Sequence, residues 1–515
     1  MLLSRLRKIG RITRKATQTR KMTETFVKTE MSKSAATLWF WSVAGFFAAL
    51  WVLLPALLHT GYRNDVIELQ SIAPEWVWAT KKHPMLPAWM LEMLNILTGR
   101  AFFAPFIAIQ LCAILTFWSV WKLGRTVLDE RLALMGALSI LPYSFFTSPM
   151  YNQNNVLIAF WALSIYLVFW AFQTNQKRYW IGAGIALGLT FHAKYSAVCL
   201  VFSILAYMFM RKEGRKYFRT PGPYLTTLVT FLVFLPHLIW LTHYHFAPLT
   251  YAESRPVLAQ WYQQILAPLN FTARQLLYWL PATIILIPII GFVWQWKVRH
   301  HEQNKAKECE KFLFYCFMIP LICHMLYCGL KGVHLRMAYG APFWVFGGLW
   351  LLLRFQEVKG SLHKLQRGVV LAIAFELFII SGFIVAFYLG KQPQPVYYPM
   401  REFGTTCEQL WHSQFSGSCP YIAGEDNYLV GFAAHAMSVR PSVIIPQGTW
   451  ATDDDLNQKG GMIVWERTDD ENNFPETLHR RFPQAEVLSE RPDLPYKIGG
   501  KESVLRIGIA LVPPT

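Results

Sequence analysis

The 515-residue chain is 54% hydrophobic and 16% aromatic but only 16% charged, against about a quarter charged in soluble domains, which excludes an ordinary soluble globular protein. The formal charge of +18 raises nucleic acid as a partner. Its Lys and Arg residues, however, fall in short clusters between apolar runs, the pattern of a multi-pass membrane protein that binds no nucleic acid.

Residues 1–37 form a basic tail, densest at Arg5, Arg7, Lys8, Arg11, Arg14 and Lys15. It reads as a topology-setting cytoplasmic segment or as a binder of anionic headgroups, with Met22 and Met31 as alternative starts. Eleven apolar runs approach the roughly 20 residues that span a bilayer: 38–58, 101–122, 132–149, 155–172, 179–191, 195–210, 224–241, 276–296, 312–330, 337–353 and 369–389. The first is too long for a signal-peptide core and reads as an uncleaved span. With a cytoplasmic N-terminus the inside segments hold 29 Lys and Arg and the outside connections 9, so the positive-inside rule puts the C-terminal end outside. The predicted fold is an α-helical polytopic membrane protein of about eleven spans, occupying 38–391, with a C-terminal α/β domain at 392–515.

The first outside loop, 59–100, contains the stretch Gly61–Trp89 with Asp65, Glu68, Glu75, Lys81, Lys82 and His83. Ionisable groups kept beside a membrane read as functional, and the loop is too apolar to be disordered. Pro84–Thr98 predicts an amphipathic helix along the membrane face, stopped by Gly99, with Glu92 on its solvated side. Tyr151–Asn155 carries four amides that are either N-cap residues or ligands for sugar hydroxyls. In the break His192–Tyr195, Lys194 and Tyr195 are either interfacial anchors or, for Lys194, a partner for an anionic phosphate. Between Leu241 and Gln275, His243 and His245 are spaced poorly for a metal, and this loop, which includes Tyr251, is a candidate lid. Lys331–Arg336 puts cations on the side where they are sparse, which suggests a bound anion or surface pairing.

Prolines 393, 395 and 399 mark a linker. Strand-like stretches follow at Pro420–Ala423, Ser442–Ile445, Gly461–Trp465 and Val504–Val512, with a helix at Tyr428–Met437. Asp453–Asp455 reads as a polar turn or helix start rather than a cation site. Cys407 and Cys419 are the two cysteines of this domain, where an oxidising compartment would permit a disulfide. The chain has no metal-finger cysteine spacing and no phosphate-binding glycine loop. A divalent metal requirement stays open without support from these patterns, and a soluble nucleotide donor has no support.

An acid in the first loop some twenty residues before His83-Pro-Met-Leu-Pro-Ala-Trp89 resembles the GT-C membrane glycosyltransferases. The likeness is to the bacterial branch related to protein O-mannosyltransferases and to lipid A aminoarabinose and rhizobial lipid A/core galacturonosyltransferases. Ala193-Lys-Tyr195, Tyr217-Phe-Arg-Thr-Pro221, Pro236-His-Leu-Ile-Trp240, Phe246-Ala-Pro-Leu-Thr-Tyr251, Tyr421-Ile-Ala-Gly424 and Gly460-Gly-Met-Ile-Val-Trp465 continue it. The resemblance implies an enzyme of the bacterial inner membrane, with its C-terminal domain periplasmic, that moves a sugar from a polyprenyl-phosphate carrier to an envelope glycolipid. It implies Asp65 as general base and a donor phosphate near His83 and Lys82, with Lys194 and Arg336 on the same side. Candidate substrate contacts are Glu68, Trp89, Asn155, Tyr195 and Tyr251. Two departures matter: Asn154 and Asn155 stand where relatives often carry a second acid, and His83 replaces a lysine, shifting phosphate contact toward Lys82. The competing classes are a lipid or polysaccharide transporter and a protein O-glycosyltransferase. A transporter would ordinarily show an internal repeat, and none is visible.

Overall fold

The computed structural model describes residues 33–143, 146–254, 257–258, 260–291, 304–355, 362–446, 448–467 and 474–514. The basic cluster Arg5–Lys15 lies outside the described residues. Helix α1 (Lys33–Leu58) leads into two loop helices, α2 (Asn64–Ile72) and α3 (Leu86–Thr98). The membrane-embedded bundle continues with α4 (Ala104–Gly124), α5 (Glu130–Leu138), α6 (Gln153–Thr174), α7 (Lys177–Ala193) and α8 (Val198–Met210). It then runs through α9 (Gly222–His243), α10 (Ala247–Glu253), α11 (Trp261–Ile290), α12 (Asn304–Lys331), α13 (Gly347–Phe355) and α14 (Leu362–Tyr388).

Among the described residues, seven helices have the length and apolar character to cross a membrane: α1, α4, α6, α9, α11, α12 and α14. The other expected runs fold as shorter or broken helices. Residues 132–149 supply only the nine-residue α5, 179–191 the 17-residue α7, and 195–210 one 3-10 turn plus the 13-residue α8. The last joins Lys212–Arg219 at a 100° bend, so that the pair makes an eighth span if taken as one. Residues 337–353 divide into a 3-10 helix, Met337–Trp344, and α13. Gly340 and Pro342 disfavour a continuous helix there. Such runs are apolar because they are buried in protein: every residue of α5 from Leu132 to Leu138 is buried. Irregular backbone is tolerated at membrane depth where protein covers it.

Packing within the bundle relies on small residues. A Cβ at Gly184 would meet Val229 at 2.7 Å and one at Gly188 would meet Val233 at 2.6 Å, so α7 and α9 approach at backbone distance. Trp51 of α1 donates its indole N–H to the buried Glu376 of α14 at 2.5 Å, joining the first and last long helices.

The C-terminal sheet domain begins with α15 (Met400–Gln414) and β1 (Tyr421–Gly424). It continues through α16 (Asn427–Ala436), β2 (Ser442–Val443), α17 (Asp453–Lys459), β3 (Gly461–Glu466), α18 (Glu476–Arg481), β4 (Glu486–Val487), β5 (Asp493–Ile498) and β6 (Lys501–Val512). The mixed sheet has the order β2-β1-β3-β6-β4, with β5 paired to β6. β1 runs parallel to β2 and β3, and β6 is antiparallel to β3. The β5–β6 hairpin turns through Gly499 and Gly500 at φ 52° and 79°, conformations that a two-residue turn demands and glycine supplies. Thr452 caps α17, so Asp453–Asp455 occupy a helix start as expected. Cys407 and Cys419 are both buried free thiols, so the predicted bridge is not formed.

This domain docks on the first loop. Arg440 places both carboxylate oxygens of Glu92 at 2.9 Å and donates to the Gln70 carbonyl. Ser442 donates to Glu75 at 2.8 Å, and Arg100 donates to the carbonyls of Met437 and Ser438. Glu92 is therefore a buried ion-pair partner, only 7% exposed, and not the solvated residue its place on α3 suggested. The opposite face of α3 leaves Met93, Ile96 and Leu97 exposed, apolar groups suited to a membrane interface, and Gly99 ends the helix at φ 61°.

Candidate active site

Helix α2 presents Asn64, Glu68 and Ser71 along one face at helical spacing, while Val66, Ile67, Leu69 and Ile72 are buried on the other. Asp65 sits in its first turn, where the helix dipole favours a carboxylate. Asn152 donates to the Asp65 carboxylate at 3.1 Å. Asn152 is also the N-cap of α6, accepting from the Asn154 N–H, and its own N–H is held by the Asn155 side chain at 2.9 Å. Asn154 in turn accepts from the Lys194 ammonium at 2.8 Å. A continuous polar chain, Asp65–Asn152–Asn154–Lys194, thus crosses from the first loop to the α7–α8 break.

Lys82 and His83 lie in a tight turn. The Thr80 hydroxyl accepts from both of their N–H groups at 3.2 and 3.1 Å, and the Thr80 N–H donates to the His83 carbonyl. The Lys82 ammonium contacts both Glu68 oxygens at 2.9 and 3.1 Å. Burial draws the Lys82 pKa down, but the Glu68 carboxylate outweighs it and holds the ammonium above its usual value.

Two cavities meet at Lys82. One, of about 380 Å³, is lined by Lys82, His83, Lys194, Tyr195, Tyr251 and Tyr339 together with apolar groups of α8, α10 and α12. Lys194 lies 4.1 Å from the Tyr339 ring centre, a cation–π distance. Tyr195 reaches the buried His237 at 2.9 Å, and the other ring nitrogen of His237 faces the Trp78 carbonyl at 3.3 Å. Because a carbonyl only accepts, that nitrogen carries the proton in a neutral ring and Tyr195 donates. The second cavity, of about 640 Å³, lies between α2 and the C-terminal domain, lined by Asn64, Glu68, Ser71, Lys82, Glu425, Asp426, Asn427, Tyr428 and Ile445.

Of the residues singled out from sequence, Lys82, His83, Lys194, Tyr195 and Tyr251 gather around one cavity and Glu68 lines the other. Asn155 is fully buried in the α6 capping box and lines neither cavity. Trp89 donates to the Val77 carbonyl and packs edge-on against Trp78 at 5.0 Å, lining neither cavity. Arg336 is exposed at the start of the 3-10 helix and also lines neither. The lid loop supplies α10, whose Pro248, Tyr251 and Ala252 wall the smaller cavity. His243 and His245 join no metal-ligating group among the described residues. Sequence reasoning missed Asn152 and Asn154 as organisers, Tyr339, and the Glu425–Tyr428 wall. Only the amide run Asn152–Asn155 carried a visible signal.

Residues 82–240 match the family model described as dolichyl-phosphate-mannose-protein mannosyltransferase. Comparison with curated protein sequences gives no match. In fold, the chain is similar to ArnT from Cupriavidus metallidurans bound to undecaprenyl phosphate, at 11% identity and a TM-score of 0.58, covering 94% of this chain and 99% of that one. It also matches an oligosaccharyltransferase from Archaeoglobus fulgidus in the apo form at 11% identity and a TM-score of 0.46, covering 83% of this chain and 69% of that one. The chain thus shares the fold of that undecaprenyl-phosphate-bound protein, and its segment 82–240 is similar to the mannosyltransferase family model.

Proposed function

We propose that the protein transfers a sugar from a polyprenyl-phosphate carrier to an envelope glycolipid, with Asp65 as general base and the site on the periplasmic face of the inner membrane. The observation that carries this reading is the polar chain joining Asp65 to Lys194 beside a cavity that also holds Lys82 and His83. Asp65 takes the proton of the acceptor hydroxyl as its oxygen bonds to the anomeric carbon. The bond from that carbon to the carrier phosphate breaks, and its electron pair stays on the phosphate oxygen. The ammonium groups of Lys82 and Lys194 meet the charge that develops there. A phosphate leaving group needs no acid partner, so one carboxylate suffices, unlike the pair a glycosidase uses. The likeness in fold to a protein that holds undecaprenyl phosphate supports the donor class. The apolar side of the smaller cavity, with Val198, Cys199, Tyr327 and Leu335, suits an isoprenoid chain.

The test compares envelope glycolipids by mass spectrometry in cells lacking the protein, complemented cells, and cells carrying Asp65→Asn. A single sugar mass should vanish on deletion and return only with Asp65. Full restoration by Asp65→Asn removes the base assignment. The description of the matched family favours a second reading, a protein acceptor. That reading predicts unchanged glycolipids and a sugar mass missing from envelope proteins.

A further inference from the structure

The two cavities that meet at Lys82 carry opposite charge. Around the smaller, the ionisable lining includes the ammonium groups of Lys82 and Lys194 with His83 and His324, and no carboxylate lines it among the described residues. Around the larger, the lining carries three carboxylates, Glu68, Glu425 and Asp426, against the single ammonium of Lys82. Lys82 is committed to Glu68 at 2.9 Å, which leaves Glu425 and Asp426 as net negative charge. Asp426 caps α16 by accepting from the Tyr428 N–H at 2.7 Å, and Glu425 accepts from the Thr477 hydroxyl. Neither of these partners is a cation. Glu466 adds to the acidic field around Asp426. Arg481, which reaches the Gly424 carbonyl at 3.4 Å, is already paired with Asp453 at 2.8 Å.

From this polarity we infer that the larger cavity receives the acceptor and selects an uncharged, hydroxyl-bearing sugar, rejecting a phosphate or other anion at the reacting end. The inference rests on the proposed transfer reaction and narrows its acceptor class. Asp65 follows Asn64 in α2 and lines neither cavity, but its charge is felt by Tyr428 on the far wall of the larger one. A phosphate-bearing end would meet two uncompensated carboxylates there, whereas the carrier phosphate is drawn to the cationic cavity. Opposed fields of this kind sort ligands and suppress the wrong one. When a donor phosphate engages Lys82, the larger cavity becomes more negative still, and the discrimination sharpens.

The experiment uses the full-length protein in detergent with EDTA, saturated with undecaprenyl phosphate so that the cationic cavity is filled. Native mass spectrometry then compares two probes, a bisphosphorylated lipid A disaccharide and the same lipid stripped of both phosphates. The dephosphorylated probe should bind about tenfold more tightly, the order expected of unit charges roughly 10 Å apart at a protein surface. In the double variant Glu425→Gln/Asp426→Asn, the ratio should fall toward one. Asparagine preserves the helix cap and glutamine the acceptor for Thr477, so both changes remove charge with little change of shape. Equal or tighter binding of the phosphorylated probe to the unaltered protein overturns the inference, as does a preference that survives in the variant or binding of neither probe. The transfer reaction itself is judged separately, by the loss of a sugar mass in deleted cells.

Discussion

Under the proposed reaction, the Lys82–Glu68 pair couples the carrier cavity to the acceptor side. Lys82 lines both cavities, yet its ammonium is held by two Glu68 oxygens at 2.9 and 3.1 Å. A donor phosphate must compete with that carboxylate. Both side chains are about one-fifth exposed, so the gross attraction of about 4 kcal/mol at an effective dielectric of 20 is reduced by desolvation and solvent screening to about 1–2 kcal/mol. Glu68→Gln should therefore tighten undecaprenyl phosphate binding about tenfold, while Lys82→Gln weakens it, with the double variant close to Lys82→Gln alone. The assay is a binding titration at low salt analysed as a double-mutant cycle. Unchanged or weaker binding in Glu68→Gln, with Lys82→Gln still impaired, would show that the pair does not restrain the donor.

Asn152→Asp keeps the α6 cap but sets a second carboxylate beside Asp65, so the acid limb of the transfer pH profile should move to higher pH; an unmoved limb refutes the contact. Arg440→Ala leaves Glu92 buried and unpaired and should cost about 3–5 kcal/mol, read as early proteolysis of the C-terminal domain; unchanged protease resistance would argue against it. His435 is buried near Arg440 and Arg100, and burial first, then those charges, push its pKa down to about 3. The unfolded chain then binds the extra proton, so stability present above pH 6.5 is lost as pH falls from 6.5 toward 3, by about 2 kcal/mol at pH 5. His435→Gln should remove that part of the acid slope in thermal melts. Gly188→Leu should separate α7 from α9 and lower the detergent melting temperature, because its first side-chain carbon already meets Val233 at 2.6 Å.

Local chemistry was legible and distant pairing was not. Lys81, Lys82 and His83 were visible as a basic run, although not as the tight turn that Thr80 closes. Gly99 and Thr452 mark helix ends by the residue types that ends require. The amides of Asn152–Asn155 were visible as a cluster with two possible uses. That Asn152 serves Asp65 depends on a contact across 87 positions, which no local pattern encodes. Glu92 misled for the same reason: on a helix with Asn95 beside it, it reads as a wet face, because the arginine that neutralises it belongs to another domain. Hydropathy located the apolar runs but not their breaks: α5 and α13 are nine-residue helices buried by protein, which a run of apolar residues does not reveal.

The docking of the C-terminal domain also has a consequence in time. Glu92 and Arg440 are separated by 348 positions, so at about 5–20 residues per second the ribosome needs about 20–70 s to supply the second after the first. Throughout that interval α3 exists without its counter-ion, and the cavity between α2 and Glu425 has only one wall. The lining of the smaller cavity, complete at Tyr339, is thus synthesised before the Glu425–Tyr428 wall of the larger one. On the proposed reaction, a chain stalled between those points would carry the cationic cavity without the acidic one.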